Sequence, residues 1–111
     1  MKKTRLGELQ ELILMAIIVL QDEAYGNSIQ RELEDRLDDR ISTGAIQTAL
    51  KRMEEKGFLT SEWGEATGKR GGKRKRIYTA TPIAHQVLND MKEVRSKLWE
   101  AMPRLGTSNL S

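Results

Sequence analysis

A mainly α-helical fold carrying one small β-hairpin is the class the sequence predicts, and three observations predict it. Apolar residues recur at helical spacing in three successive segments and in a fourth near the C-terminus. Between the third and fourth segments the period drops from about 3.6 to about 2 residues. Glycines, short polar breaks and a Thr-Pro pair fall where helices and strands must stop. With 111 residues and no internal repeat, the chain makes one small domain. At that size a partner surface helps to bury enough apolar area.

The first helix is expected from about Gly7 to Leu20. Leu9, Leu12, Ile13, Ala16, Ile17 and Leu20 repeat at helical spacing, and Leu14, Ile18 and Val19 make the segment apolar nearly all round. Such a helix calls for cover on more than one face. "QDEAYGNS" interrupts it, and a second helix follows over about Gly26 to Asp38, with Ile29, Leu33 and Leu37 on one face. Its charged opposite face is read as a solvated surface. In the third helix, "STGAIQTALKRMEEKGFL", Ser42 or Thr43 offers an N-cap and Gly57 stands where a left-handed C-cap belongs. Ile46, Ala49, Leu50 and Met53 form its inward stripe. "FLTSEWGE" and "KRKRIYTAT" then alternate as the arms of a hairpin with a glycine-rich tip. Thr81 caps, and Pro82 opens, a fourth helix that runs to about Met102.

Charge is concentrated in one place. The stretch "GKRGGKRKR", residues 68–76, contributes six cations and no acid to a net charge of +3. The other thirteen Lys and Arg against sixteen Asp and Glu leave the rest of the chain at −3. A single positive pole on a mildly acidic body attracts a polyanion. It is not a nucleotide-binding phosphate loop: Gly64 to Gly68 and Gly68 to Gly72 each enclose three residues instead of four, Lys69 and Lys73 precede Arg, and a strand follows. The absence of cysteine removes disulfides, thiolate metal sites and cysteine nucleophiles, and fits a cytoplasmic protein. The apolar run Leu12 to Leu20 has nine residues, far below the ~20 that span a bilayer. Acids at Glu8 and Glu11 also argue against a signal peptide, so no membrane partner is expected.

Three helices followed by a hairpin is the order of a winged helix-turn-helix, in which the third helix enters the major groove of double-stranded DNA and the hairpin tip lies along the backbone or in the minor groove. The outward face of the third helix carries Thr43, Gly44, Gln47, Thr48, Lys51 and Arg52. Thr43 and Gly44 are small enough for close approach. Gln47 can pair with adenine through two hydrogen bonds, Thr48 can meet a base or a phosphate, and Lys51 and Arg52 suit phosphates. Lys69, Arg70, Lys73, Arg74, Lys75 and Arg76 supply the wing. Six phosphate contacts would give a salt slope of about −5, an upper figure because some side chains must point away.

Along the fourth helix Ile83, Val87, Met91, Val94, Leu98 and Met102 form a stripe, with Ala84, Leu88 and Trp99 beside it. A second copy of the chain is the simplest cover for so broad an apolar face, and Leu12 of the first helix is expected to join the seam. Trp99 has two readings: a seam residue, or a stacking wall for a flat hydrophobic effector with Met91 and Met102 as adaptable neighbours. His85, the one histidine, reads as a surface residue. Asp38 and Asp39 diverge, so neither metal binding, a cofactor nor acid–base catalysis is expected.

"LGELQELILMAI", "DEAYGNSI", "GAIQTALKRMEEKGFL" and "GGKRKRIYTATP" together resemble, in this order, the PadR-like transcriptional regulators over about residues 6 to 83. The most specific matches are Tyr25-Gly26, Gly44-Ala45-Ile46, Arg52 with Glu55-Lys56-Gly57, and Gly71 to Arg76 with Tyr78 and Thr81-Pro82. The resemblance implies a winged-helix homodimer that represses transcription from a palindromic operator. It also implies the short branch with one C-terminal dimerisation helix, some of whose members sense hydrophobic compounds at the dimer interface. Two positions depart from the pattern. Gln47 stands where the family commonly has Tyr, which bears on the operator sequence, and Ile83-Ala84 replaces the usual Glu-Gly.

The expectation is therefore a DNA-binding domain over 1–81, a dimerisation helix over 82–104 and a tail over 105–111. The rival is an interaction module that keeps the fold and uses its helix and wing on a protein. Sequence-independent DNA binding is a third reading.

Overall fold

A computed structural model describes residues 6–64 and 74–103. The wing tip at 65–73, with Lys69, Arg70 and Lys73, lies outside the described residues. So does the tail from residue 104 onward. The elements run α1 (Glu8–Leu20), a 3-10 turn (Gln21–Glu23), α2 (Gly26–Leu37), α3 (Thr43–Glu55), β1 (Leu59–Trp63), β2 (Arg76–Ala80) and α4 (Pro82–Ala101).

The core gathers Ile13, Leu14 and Ile17 of α1, Ile29 and Leu33 of α2, and Ile46, Leu50 and Met53 of α3, with Phe58 and Leu59 from the start of the hairpin. Full burial of a side chain such as Leu50 contributes about 1.5–3 kcal/mol. The first helix is central, yet it is not covered all round: Met15 and Val19 stay exposed on the side away from α2 and α3. Leu37 also departs from expectation at 46 % exposure. The helix ends on it, and Asp38 turns left-handed (φ 53°), which carries the chain off before anything covers that side chain.

The helix ends follow local chemistry. Ser42 Oγ accepts from Ala45 N at 2.9 Å. At the other end of α3, Gly57 takes φ +86°. There Phe58 N donates to Met53 O at 2.9 Å and Gly57 N to Glu54 O at 3.1 Å, a Schellman closure with Phe58 tucked into the core. Thr81 Oγ1 donates to Gly57 O at 2.8 Å and Thr81 N donates to Phe58 O at 3.0 Å, so the end of the wing is tied to the end of α3.

The two strands pair antiparallel with Ser61 opposite Tyr78 and Trp63 opposite Arg76. Tyr78 N also donates to Ala24 O at 2.8 Å, which anchors the hairpin to the segment between α1 and α2. The fourth helix leaves this body. Ala84 is its one fully buried residue, Val87, Leu88 and Met91 are half-buried, and residues 92–103 are exposed. The projecting helix raises the radius of gyration to 17.2 Å. A compact domain of this length would have ~13 Å.

Candidate nucleic-acid interface

Burial of Ile46, Ala49, Leu50 and Met53 orients α3, so Thr43, Gly44, Gln47, Thr48, Lys51 and Arg52 all face outward and exposed. Gly44 has room: a Cβ there would meet nothing closer than Ser42 Oγ at 3.8 Å, so no neighbour within the chain requires a glycine. Thr43 Oγ1 donates to Gln30 Oε1 at 3.3 Å. Gln30 Nε2 donates to Ile41 O at 2.7 Å, and Glu34 Oε2 accepts from Ile41 N at 2.8 Å. The polar face of α2, read from the sequence as mere solvated surface, therefore ties down the turn that aims α3.

Gln47 lies against the start of α2. A Cβ built on Gly26 would come within 2.7 Å of Gln47 Nε2, so the absent side chain at Gly26 is what leaves space for the amide. Tyr25, next in the chain, carries Lys75 Nζ 4.1 Å from its ring centroid. Through Tyr25 and Gly26, the base of the wing and the start of the recognition helix share one corner of the molecule.

The described wing cations differ in how they are held. Arg74 is exposed and its Nε donates to Gly64 O at 3.0 Å, bridging the two arms. Lys75 is exposed and rests on Tyr25. Arg76 is half-buried: its guanidinium lies 5.0 Å from the Trp63 centroid, and its Nε donates to Ser61 Oγ at 2.8 Å. Ser61 Oγ in turn donates to Glu54 Oε2 at 2.7 Å, in the last turn of α3. Burial pushes the nearby Tyr78 phenol above its ordinary range; the Glu54 charge adds to the rise and Arg76 opposes it. Tyr25, Gly26, Glu54, Ser61 and Trp63 were not singled out as site residues from the sequence. Their roles arise from cross-strand register and contacts between elements. The adjacent Tyr25-Gly26 pair was the one local signal.

The expected seam residues fall into two groups. Leu12, Val87 and Met91 are half-buried against their own domain. Val94, Leu98, Trp99 and Met102 are 58, 60, 70 and 48 % exposed. A cavity of about 390 Å³ between α1 and α4 takes Trp99, Met15 and Leu88 in its lining, with His85 on its edge. Met91 and Met102 do not line it. Glu11 and Arg95 also line it, and Arg95 of α4 makes a two-pronged ion pair with Glu11, a carboxylate only 5 % exposed on α1. That hydrogen-bonded pairing holds the Arg95 guanidinium charged above its already high ordinary range. Among the described residues no three His, Cys, Asp or Glu side chains converge on a metal position. No described helix is long and apolar enough to cross a membrane.

Three helices around one core, the third presenting a polar and basic face beside a two-stranded wing, define a winged helix-turn-helix of the DNA-binding kind. The model of the family described as "Transcriptional regulator PadR-like family" matches residues 13–90, and the chain belongs to that family. It is thus a DNA-binding transcriptional regulator. Comparison with curated protein sequences yields no match. Among solved structures it is similar to a PadR family transcription regulator from Clostridium difficile, at 26% identity and TM-score 0.64, covering 86% of this chain and 95% of that one. A PadR family transcriptional regulator from Eggerthella lenta is similar at 25% identity and TM-score 0.64, covering 84% and 80% respectively. RosR from H. salinarum aligns at 26% identity and TM-score 0.59, covering 83% of this chain and 76% of that one.

Proposed function

We propose that the chain is a homodimeric repressor that seats two copies of α3 in successive major grooves of a palindromic operator, with half-sites about one helical turn, ~34 Å, apart. One observation carries this reading: the corner where Gln47, Gly26, Tyr25 and Lys75 meet, which supports a base-reading helix and a phosphate-gripping wing acting on one DNA segment. In it, Gln47 with Thr43, Gly44 and Thr48 reads base edges. Lys51, Arg52, Arg74, Lys75 and the tip cations Lys69, Arg70 and Lys73 hold phosphates. Residues 1–81 form the DNA-binding unit and 82–104 the dimerisation helix, with Val94, Leu98, Trp99 and Met102 meeting a second copy. The exposure of those four side chains supports that assignment. A hydrophobic effector entering beside Trp99 would shift α4 and with it the separation of the two recognition helices.

The test is an anisotropy titration against the chain's own upstream DNA and a scrambled duplex at two salt concentrations. Tight, steeply salt-dependent binding to the upstream duplex alone is the expected result. Equal binding to both would reduce Gln47 to a backbone contact. A salt-insensitive protein partner in place of DNA would favour the interaction-module reading.

A further inference from the structure

We infer that Arg76 sets the angle between the wing and the recognition helix and is not one of the phosphate-holding cations, an assignment that rests on the DNA-binding reading above. Its sequence neighbours suggest otherwise, since it closes the run Lys73-Arg74-Lys75-Arg76. The surroundings of its guanidinium set it apart. Arg76 and Trp63 are direct cross-strand partners, and the cation lies over the indole. Ser61 stands two residues along on the same face of the hairpin. A serine hydroxyl has one proton to donate, and Ser61 gives it to Glu54 while accepting from Arg76. The chain Arg76 to Ser61 to Glu54 therefore runs in one direction from the wing strand to the last turn of α3. The planar, forked guanidinium suits this double duty of stacking and donating, and a lysine ammonium does not.

The indole and Ser61 together hold the Arg76 guanidinium half-buried and in one orientation. Arg74 and Lys75 are exposed, and each has one such contact, Arg74 with Gly64 O and Lys75 with the Tyr25 ring, where Arg76 has two. By holding β2 to β1 and β1 to α3, Arg76 makes the wing and the recognition helix one rigid body, so that both meet the DNA in a fixed relation. Pre-ordering of this kind raises affinity without adding a contact.

The salt slope separates the two roles. Take a duplex selected by the wild-type protein from a randomised pool, and titrate wild type, Arg76→Gln, Arg76→Lys and Ser61→Ala at several salt concentrations. A positioning role predicts that all three variants bind about three- to tenfold more weakly with an unchanged slope, because Ser61→Ala removes no charge and Arg76→Lys keeps it. The double variant Ser61→Ala/Arg76→Gln should then be no weaker than Arg76→Gln alone. A fall in slope of about 0.9 for Arg76→Gln, with Arg76→Lys and Ser61→Ala close to wild type, would make Arg76 a phosphate contact and overturn the inference. Wild-type binding at every salt for all variants would overturn it too. Failure of the wild-type protein to select any duplex would refute the DNA-binding reading itself, a result visible before any variant is made.

Discussion

Replacing Gly26 with alanine separates reading of the operator from stability of the fold. The new Cβ would stand 2.7 Å from Gln47 Nε2, and ordinary contact begins near 3.4 Å, so the amide must move by at least 0.7 Å. The obstacle is the far end of a flexible side chain, so the fold yields easily. Gly26 is also the first residue of α2, where alanine orders the unfolded chain less expensively than glycine. Stability should stay level or rise by up to about 1 kcal/mol. Binding should respond differently. A two-bond amide–adenine contact discriminates by ~1–3 kcal/mol, about fivefold to a hundredfold at 1.4 kcal/mol per tenfold. Such a contact does not survive a shift of that size. The assay pairs urea unfolding with anisotropy on a selected operator and a scrambled duplex. Gly26→Ala should lose at least about fivefold in discrimination, and should have no further effect in a Gln47→Ala background. Undiminished discrimination in Gly26→Ala, alongside its loss in Gln47→Ala, would refute the claim that Gln47 reads from this pose.

Three other perturbations test other parts of the molecule. Leu98→Glu places a charge in the exposed apolar stripe of α4, and sedimentation should show folded monomer at micromolar concentration where the wild-type chain forms the proposed dimer. Gly57→Ala meets no neighbour but must hold φ +86°, so it should cost about 1 kcal/mol in urea unfolding, and an equal or higher stability would remove the left-handed cap from the account. Burial raises the Tyr78 phenol above its ordinary 10.0, so the stability linked to its neutral form is complete below that pH and is lost as pH climbs through the higher folded value. Tyr78→Phe should therefore flatten the decline in stability that begins near pH 10 and continues above it, and leave stability below that pH without the linked slope.

Where the signal was local, the sequence was enough. The Ser42-Thr43 pair and Thr81 announce caps, with the structure choosing Ser42 of the pair, Gly57 announces its left-handed turn, and Pro82 the start of a helix, because each acts within four residues of itself. The inward stripe of α3 follows from spacing alone, and the outward face follows by exclusion, so its six candidate residues could be named in advance. Helix periodicity also found the apolar stripe of α4, since a side chain's direction on a helix depends on its number and little else.

What the tertiary structure decided were contacts between residues far apart in the chain. Lys75 and Arg76 are adjacent cations in the sequence, yet one rests exposed on Tyr25 and the other is held half-buried between Trp63 and Ser61. Strand alternation puts neighbours on opposite faces, but which residue each face meets depends on register and on where α2 and α3 lie. In the sequence Glu11 served only to argue against a signal peptide; it is a buried anchor because Arg95, eighty-four residues on, returns to meet it. Leu37 and Leu33 repeat at the same spacing, and only the end of α2 leaves one bare and the other buried. Local propensity and periodicity are properties of a few consecutive residues and survive in the bare sequence. Charge pairing, stacking and cover are properties of distance in space, and they exist only once the chain has folded.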